Sequence, residues 1–185
     1  MHNIFTCSSK QNIWRWLLLV VCLATIWYFS NQTFKQQDLR PKIREYTGLV
    51  HIVQAMPRIH FDYDGNHKPT DNRKDPVNFI HFWIRKGAHV IMYGILGLSL
   101  LLVLGRYIRT ERTRYLAAGF GVTLVAGFDE FNQTFVGDRT GMFRDVLVDL
   151  AGFILFALAF YLAKRFIILR KTKPSAQGLV PASNT

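Results

Sequence analysis

The sequence contains little cysteine and few acidic residues, and each shortage narrows what the protein can be. Only two of the 185 residues are cysteine, which excludes a disulfide framework. Asp and Glu number 12 against 23 Lys and Arg, so the formal net charge is +11. The chain has no nucleic-acid-binding motif, and its basic residues flank apolar segments. The charge therefore favours contact with anionic lipid and not with nucleic acid.

Several other signatures are also missing from the sequence. We find no internal repeat and no motif for a zinc site or an activated nucleophile. The stretch after the first apolar run, "YFSNQTF" at 28–34, lacks a small-x-small cleavage site. We therefore expect the first apolar segment to be an uncleaved anchor and not a signal peptide.

Long apolar runs, in contrast, are plentiful. Four segments approach the roughly 20 residues needed to cross a bilayer: 13–30, 87–105, 115–134 and 146–163. They predict an all-α polytopic membrane protein with four transmembrane helices. A soluble protein with four buried helices is the alternative, but its helices would need polar faces. The second half of the second segment and most of the fourth have none.

The connection at 31–86 has structure of its own. Within 39–56, Ile43, Tyr46, Val50 and Val53 recur at spacings of three and four, which predicts an amphipathic helix on the membrane surface. A polar, turn-rich loop is expected at 62–76. Asp75 followed by Pro76 then predicts the start of a helix.

Charge predicts the topology and the limits of the domain. Four Arg lie within 106–114, and a second basic cluster follows residue 163. The positive-inside rule therefore places both termini in the cytoplasm. We expect a cytoplasmic leader at 1–12, a four-helix domain at 13–163 with an extracytoplasmic loop at 31–86, and a basic tail at 164–185 with a disordered end.

Ionisable residues intrude at three helix ends that antiparallel spans bring to one membrane face. The second segment begins with Lys86, His89 and Tyr93, and the third ends with Asp129, Glu130 and Gln133; the fourth begins with Asp145 and Asp149, and Arg139 lies in the loop before it. Adjacent helical residues diverge by about 100°. Asp129 and Glu130 must therefore face different helices, the second and the fourth segments in one order or the other.

Such a cluster has two interpretations. A charge at the bilayer centre costs about 2.5–3.5 kcal/mol on insertion scales, so intramembrane charges usually mark function. The alternative is a structural role: ion-pair packing for the whole cluster, a snorkelling Lys86, a packed His89 or a capping Asp145. Four carboxylates against Lys86, Arg139 and a protonated His89 leave negative charge uncompensated. Either a carboxyl is protonated or the site holds a cation or a cationic group.

The ordered set of motifs resembles the VanZ family of small bacterial membrane proteins. It comprises "RKGAHVIMYGILG" at 85–97, "DEFNQ" at 129–133, Arg139, and Asp145 and Asp149 followed by Gly152. The resemblance implies a multi-pass protein of the bacterial cytoplasmic membrane. The family takes its name from a factor for resistance to teicoplanin and related lipid-tailed glycopeptides. It is not known as an enzyme that alters the drug or the peptidoglycan terminus.

Together these observations predict an envelope protein that binds or organises a headgroup-bearing molecule. The expected partner is an anionic membrane lipid, a lipid-linked wall precursor or a lipoglycopeptide. Lys86 and Arg139 would contact its phosphate or carboxylate. The four carboxylates would hold these two cationic side chains in place or coordinate a divalent cation as a cofactor. The alternative is an intramembrane enzyme acting on a lipid-linked substrate, with His89 or Glu130 as general base and a metal held by the carboxylates.

Overall fold

The computed structural model describes residues 4–63, 69–136 and 141–172; the predicted disordered end of the tail lies outside them. Helix accounts for 79% of the structure, which confirms the predicted helical class. The helices are α1 Ile4–Ser30, α2 Arg40–Glu45, α3 Thr47–Ala55, α4 Pro76–Leu104, α5 Glu111–Gln133 and α6 Phe143–Thr172. A single 3₁₀ turn covers Phe34–Gln37, and strand β1 His60–Phe61 pairs antiparallel with β2 Thr70–Asp71.

Three of these helices are long and apolar enough to cross a membrane. The candidate spans are Ile13–Ser30 in α1, Pro76–Leu104 in α4 and Phe143–Arg170 in α6. They contain the first and fourth predicted segments and all but the last residue of the second, 87–105. All but the last residue of the third, 115–134, lies in α5, whose 23 residues extend roughly 35 Å at 1.5 Å per residue. Polar residues at its end make α5 less apolar than the other three, and the fourth transmembrane helix stays a prediction.

Helix α4 is the centre of the bundle, because α1, α5 and α6 all pack against it. The Cys22 Sγ lies 3.8 Å from the Met92 carbonyl, and the Arg15 guanidinium donates to the Leu102 carbonyl at 3.2 Å. Residue numbers thus rise on α1 as they fall on α4, so these two helices are antiparallel. The end of α1, the start of α4, the end of α5 and the start of α6 therefore lie at one end of the bundle.

Small residues allow α4 and α6 to pack closely. A Cβ added to Gly152 of α6 would lie 2.8 Å from the Val90 Cα and 3.0 Å from the Val90 carbonyl carbon. Gly94 of α4 lies against the Phe156 ring in the same way. The absence of a side chain at these positions lets the two backbones approach, as is common between membrane helices. The polar ends of α4 and α6 are thereby brought into contact.

The predicted amphipathic helix at 39–56 forms two short helices and not one. The chain bends at Tyr46, with φ −90° and ψ 65°, and its side chain is 67% exposed. Thr47 and Gly48 follow, and both have low helix propensity. Ile43 and Val53 are buried against the start of α4, as the spacing predicted, so much of the apolar face packs on the protein itself.

Of the loop expected at 62–76, the structure describes residues 62–63 and 69–76, and buried contacts hold the second stretch in place. Asn72 is fully buried, and its amide donates to the Val53 carbonyl at 2.9 Å. Asp71 is 2% exposed and accepts from the Arg58 guanidinium at 2.8 Å. The hydrogen bond from Arg58 holds the pKa of Asp71 at about 2. These contacts fasten the loop to α3 and the start of α4.

The predicted start of the second helix is confirmed. Helix α4 begins at Pro76, and the Asp75 side chain caps it by accepting from the Asn78 backbone N–H at 3.0 Å. The helix then continues without a break through the predicted apolar segment. The stretch at 77–86, which contains Phe79, Phe82 and Trp83, therefore forms the first turns of α4.

A pair of glycine variants tests the close packing of α4 and α6. We expect Gly152→Ala to lower the free energy of unfolding by about 1–3 kcal/mol, because the new methyl group overlaps the Val90 backbone. The matched control is Gly127→Ala in α5, where a Cβ has open space. Thermal unfolding in detergent would measure both. Equal melting temperatures for the two variants would contradict the assigned α4–α6 contact.

Candidate functional site

Polar side chains form one cluster where α4 and α6 begin and α5 ends. The cluster contains eight of the nine residues predicted from the sequence: Lys86, His89, Tyr93, Asp129, Glu130, Gln133, Asp145 and Asp149. All are buried except Lys86 and His89, which are partly buried. Arg139 lies outside the described residues. We refer to the eight as the polar cluster.

Lys86 is paired inside the protein. Its ammonium forms a salt bridge with Asp145 Oδ1, and the Tyr63 hydroxyl donates to the same oxygen at 2.5 Å. The ammonium also lies 4.2 Å from the Tyr63 ring centroid. Asp145 and Tyr63 therefore compensate the charge that was expected to contact a headgroup. Tyr63 was not predicted, because no sequence pattern links it to Asp145, 82 residues away.

His89 and Asp149 form a second pair one turn further into the bundle. The His89 Nδ1 lies 2.9 Å from Asp149 Oδ1, and Asp149 is fully buried. The pairs Lys86–Asp145 and His89–Asp149 are three residues apart on α4 and four apart on α6. Each helix thus presents residues about one turn apart on the face that meets the other.

Asp129 faces α4. Its Oδ2 accepts from the Tyr93 hydroxyl at 3.0 Å and from the Gln133 amide at 3.1 Å. The Tyr93 ring is also stacked on the His89 ring, with centroids 6.1 Å apart. Asp129 is thereby linked to the His89–Asp149 pair.

Glu130 faces α6, so the two adjacent carboxylates diverge as the helical period requires. Its Oε2 accepts from the Met142 backbone N–H at 2.8 Å, just before α6 begins. Asp129 and Glu130 therefore join α5 to two different helices. The sequence predicted this divergence and left open which residue faces which helix.

Three buried carboxylate oxygens have no hydrogen-bond partner in the part of the chain that the structure describes. They are Asp129 Oδ1, Glu130 Oε1 and Asp149 Oδ2. His89, Glu130 and Asp149 each offer one possible metal-ligand atom, and these three atoms lie within 4.8 Å of one another. Since an unpaired buried charge is costly, this part of the cluster can accept a proton, a hydrogen-bond donor or a cation.

A cavity of about 530 Å³ adjoins the polar cluster between α1, the 3₁₀ turn, α4 and the end of α5. We call it the groove. Its polar side includes His89, Tyr93, Asp129 and Gln133. Its apolar side is formed by Ile26, Phe29, Leu39, Ile84, Ile91 and Met92. One surface thus joins membrane-like side chains to buried hydrogen-bonding groups.

Arg85 also lines the groove, and the sequence interpretation missed it. Its guanidinium lies 5.4 Å from the Phe34 ring centroid, and no ion pair among the described residues includes it. Arg40, near the same ring, is paired with Asp38 at 2.7 Å. That pairing holds the pKa of Asp38 at about 2. The signal for Arg85 was its spacing of four from His89, which places both residues on one face of α4.

Comparison with known protein families supports the resemblance seen in the sequence. A family model described as VanZ/LLP1 matches residues 15–164, a range that includes the whole polar cluster and the groove. No curated protein and no solved structure matched the chain. The match covers most of the sequence and confirms the resemblance seen in its motifs. The chain therefore belongs to the VanZ family.

Proposed function

We propose that this VanZ-family membrane protein binds a headgroup-bearing amphiphile of the cell envelope in the groove. The observation that carries the proposal is the groove itself, in which an apolar side meets a polar side. Its volume of about 530 Å³ is within the range of about 300–1,000 Å³ found for small-molecule sites. That space suits a headgroup and the first part of an acyl or prenyl chain.

The polar side defines the chemistry of the headgroup. Arg85 offers a planar set of donors suited to phosphate or carboxylate. Asp129 Oδ1 is buried without a donor among the described residues, so it can accept from a ligand hydroxyl or amine. The ligand would therefore carry an anionic group, a hydrogen-bond donor and an apolar chain. An anionic lipid, a lipid-linked wall precursor and a lipoglycopeptide all meet that description.

Topology and biological role belong to the same proposal. Helix α5 would be the fourth transmembrane helix, since it packs against both α4 and α6. Both termini would be cytoplasmic, so the groove would lie in the outer leaflet of the cytoplasmic membrane. A role in resistance to lipid-tailed glycopeptides would follow from competition for, or rearrangement of, such molecules.

A second candidate is an intramembrane enzyme acting on a lipid-linked substrate. The observation that favours it is the His89–Asp149 hydrogen bond, because a carboxylate that orients an imidazole is a common acid–base arrangement. His89 lines the groove, so it could reach a bound headgroup. Glu130 is the other candidate base, but it does not line the groove.

Replacing Arg85 tests the binding proposal. Native mass spectrometry would compare phosphatidylglycerol with phosphatidylcholine of identical acyl chains, since only the first combines net negative charge with hydroxyl donors. We expect wild type to prefer phosphatidylglycerol and Arg85→Gln to bind it about tenfold more weakly or worse. A hydrogen bond to a charged group contributes about 1.5–3 kcal/mol. The matched control is Arg73→Gln, an exposed arginine outside the groove. Equal loss of phosphatidylglycerol binding in both variants would show that the effect comes from general surface charge and would contradict a specific role of Arg85.

Cysteine labelling tests the proposed orientation. In a chain with Cys7→Ser and Cys22→Ala, we would introduce Thr110→Cys or Lys74→Cys at exposed positions near opposite ends of α4. A membrane-impermeant maleimide should label position 74, but not 110, in intact cells. The reverse pattern would place the groove in the cytoplasmic leaflet.

His89→Gln separates binding from catalysis. If the protein only binds, the variant should lose binding in proportion to the hydrogen bonds removed, and wild type should leave the lipid chemically intact. Mass spectrometry of lipid extracts after incubation with wild-type protein would measure any conversion. A product formed by wild type and not by His89→Gln would favour the enzyme.

A further inference from the structure

The negative charge of the polar cluster exceeds the positive charge that the described residues bring to it. Lys86 is paired with Asp145, and His89 is paired with Asp149. No ion pair in the described ranges includes Asp129 or Glu130. Even with a protonated His89, two carboxylates remain uncompensated at this end of the bundle.

Two of the carboxylates each have a buried oxygen without a partner in the described part of the chain, and both residues belong to one group of possible metal ligands. Glu130 is 5% exposed and Asp149 is 0% exposed, yet Glu130 Oε1 and Asp149 Oδ2 lack hydrogen-bond partners among the described residues. One possible metal-ligand atom from each of these two residues and one from His89 lie within 4.8 Å of one another. Two ligands of a tetrahedral zinc ion are about 3.3–3.6 Å apart, given bond lengths of about 2.0–2.2 Å. The three atoms lie within 4.8 Å of one another, so small side-chain movements would bring them to one ion.

We propose that His89, Glu130 and Asp149 bind a divalent transition-metal ion. One imidazole and two carboxylates favour Zn²⁺ or Mn²⁺ over Ca²⁺ and Mg²⁺, which prefer oxygen ligands. The three ligands come from α4, α5 and α6, so a single ion joins the three helices that form the polar cluster. His89 must be neutral to bind the ion, so the two positive charges of the ion would compensate Glu130 and Asp149, the carboxylates that bind it, whereas one proton would neutralise only one of them. Asp129 keeps its hydrogen bonds from Tyr93 and Gln133.

The site is next to the groove and independent of it. Of the three ligands only His89 also lines the groove, and neither Glu130 nor Asp149 contacts it. Metal binding therefore does not require that the groove bind an amphiphile. If both occur, the open coordination positions of the ion are within reach of a headgroup beside His89.

Metal analysis of the purified protein tests the site. The full chain would carry a tag without histidine, be stripped with EDTA, and be titrated with ZnCl₂ and with MnCl₂ by calorimetry, with elemental analysis of the stoichiometry. We expect one ion per chain. Asp149→Asn and Glu130→Gln should each weaken binding by about tenfold or more, since each removes one of three ligands. The matched control is Asp71→Asn, which changes another buried carboxylate that is paired with Arg58 and is not part of the cluster.

Two results would overturn the proposal: no saturable binding of either ion to wild type, or binding in Asp149→Asn and Glu130→Gln equal to that of Asp71→Asn. If the two cluster variants do not fold, the wild-type protein decides the question. Chain labelled with ¹⁵N-histidine and loaded with one equivalent of Mn²⁺ should show imidazole nitrogen coupling in its electron spin-echo spectrum. Absence of that coupling would exclude His89 as a ligand and overturn the site.

Discussion

The cost of burying carboxylates determines how this bundle is arranged. Four carboxylates lie at one end of the helices, and each needs a donor or a cation close by. Lys86 and His89 meet the acidic residues of α6, while Tyr93 and Gln133 meet Asp129. These contacts fix the rotation of α4 relative to α5 and α6. Gly152 then allows the backbones to approach closely enough for them to form.

The same contacts hold in place the polar side chains that line the groove. Tyr93 and His89 stack at the boundary between the polar cluster and the cavity, so both regions share side chains. Asp129 is held by two donors on one oxygen and presents the other without a partner among the described residues. A headgroup bound beside Arg85 would meet groups that are already oriented. Packing, charge compensation and the proposed binding therefore depend on one set of residues.

Much of this was predictable from the sequence, and the failures have physical causes. Charged residues interrupting apolar runs at three helix ends were sufficient to place the cluster. The sequence could not decide which of two adjacent cations on α4 faces the groove. Arg85 and Lys86 lie four and three residues before His89, and either spacing places a side chain on the same helix face as His89. The position of α6 decides between them: Lys86 pairs with Asp145 of α6, and Arg85 lines the groove. Tyr63 was missed because its contact depends on the path of a long loop. The break at Tyr46 was missed because local helix propensity there opposed a regular apolar spacing.

The central claim is that the groove selects its occupant from the membrane. Photocrosslinking in living cells tests it most directly, with p-benzoylphenylalanine at Ile91 in the groove or at Leu155 on the outer surface of α6. Both positions are similarly exposed, at 52% and 57%, but only Ile91 lines the groove. The account predicts one dominant lipid adduct at position 91 and a mixture that mirrors the bulk membrane at 155. The same bulk mixture at both positions would contradict it.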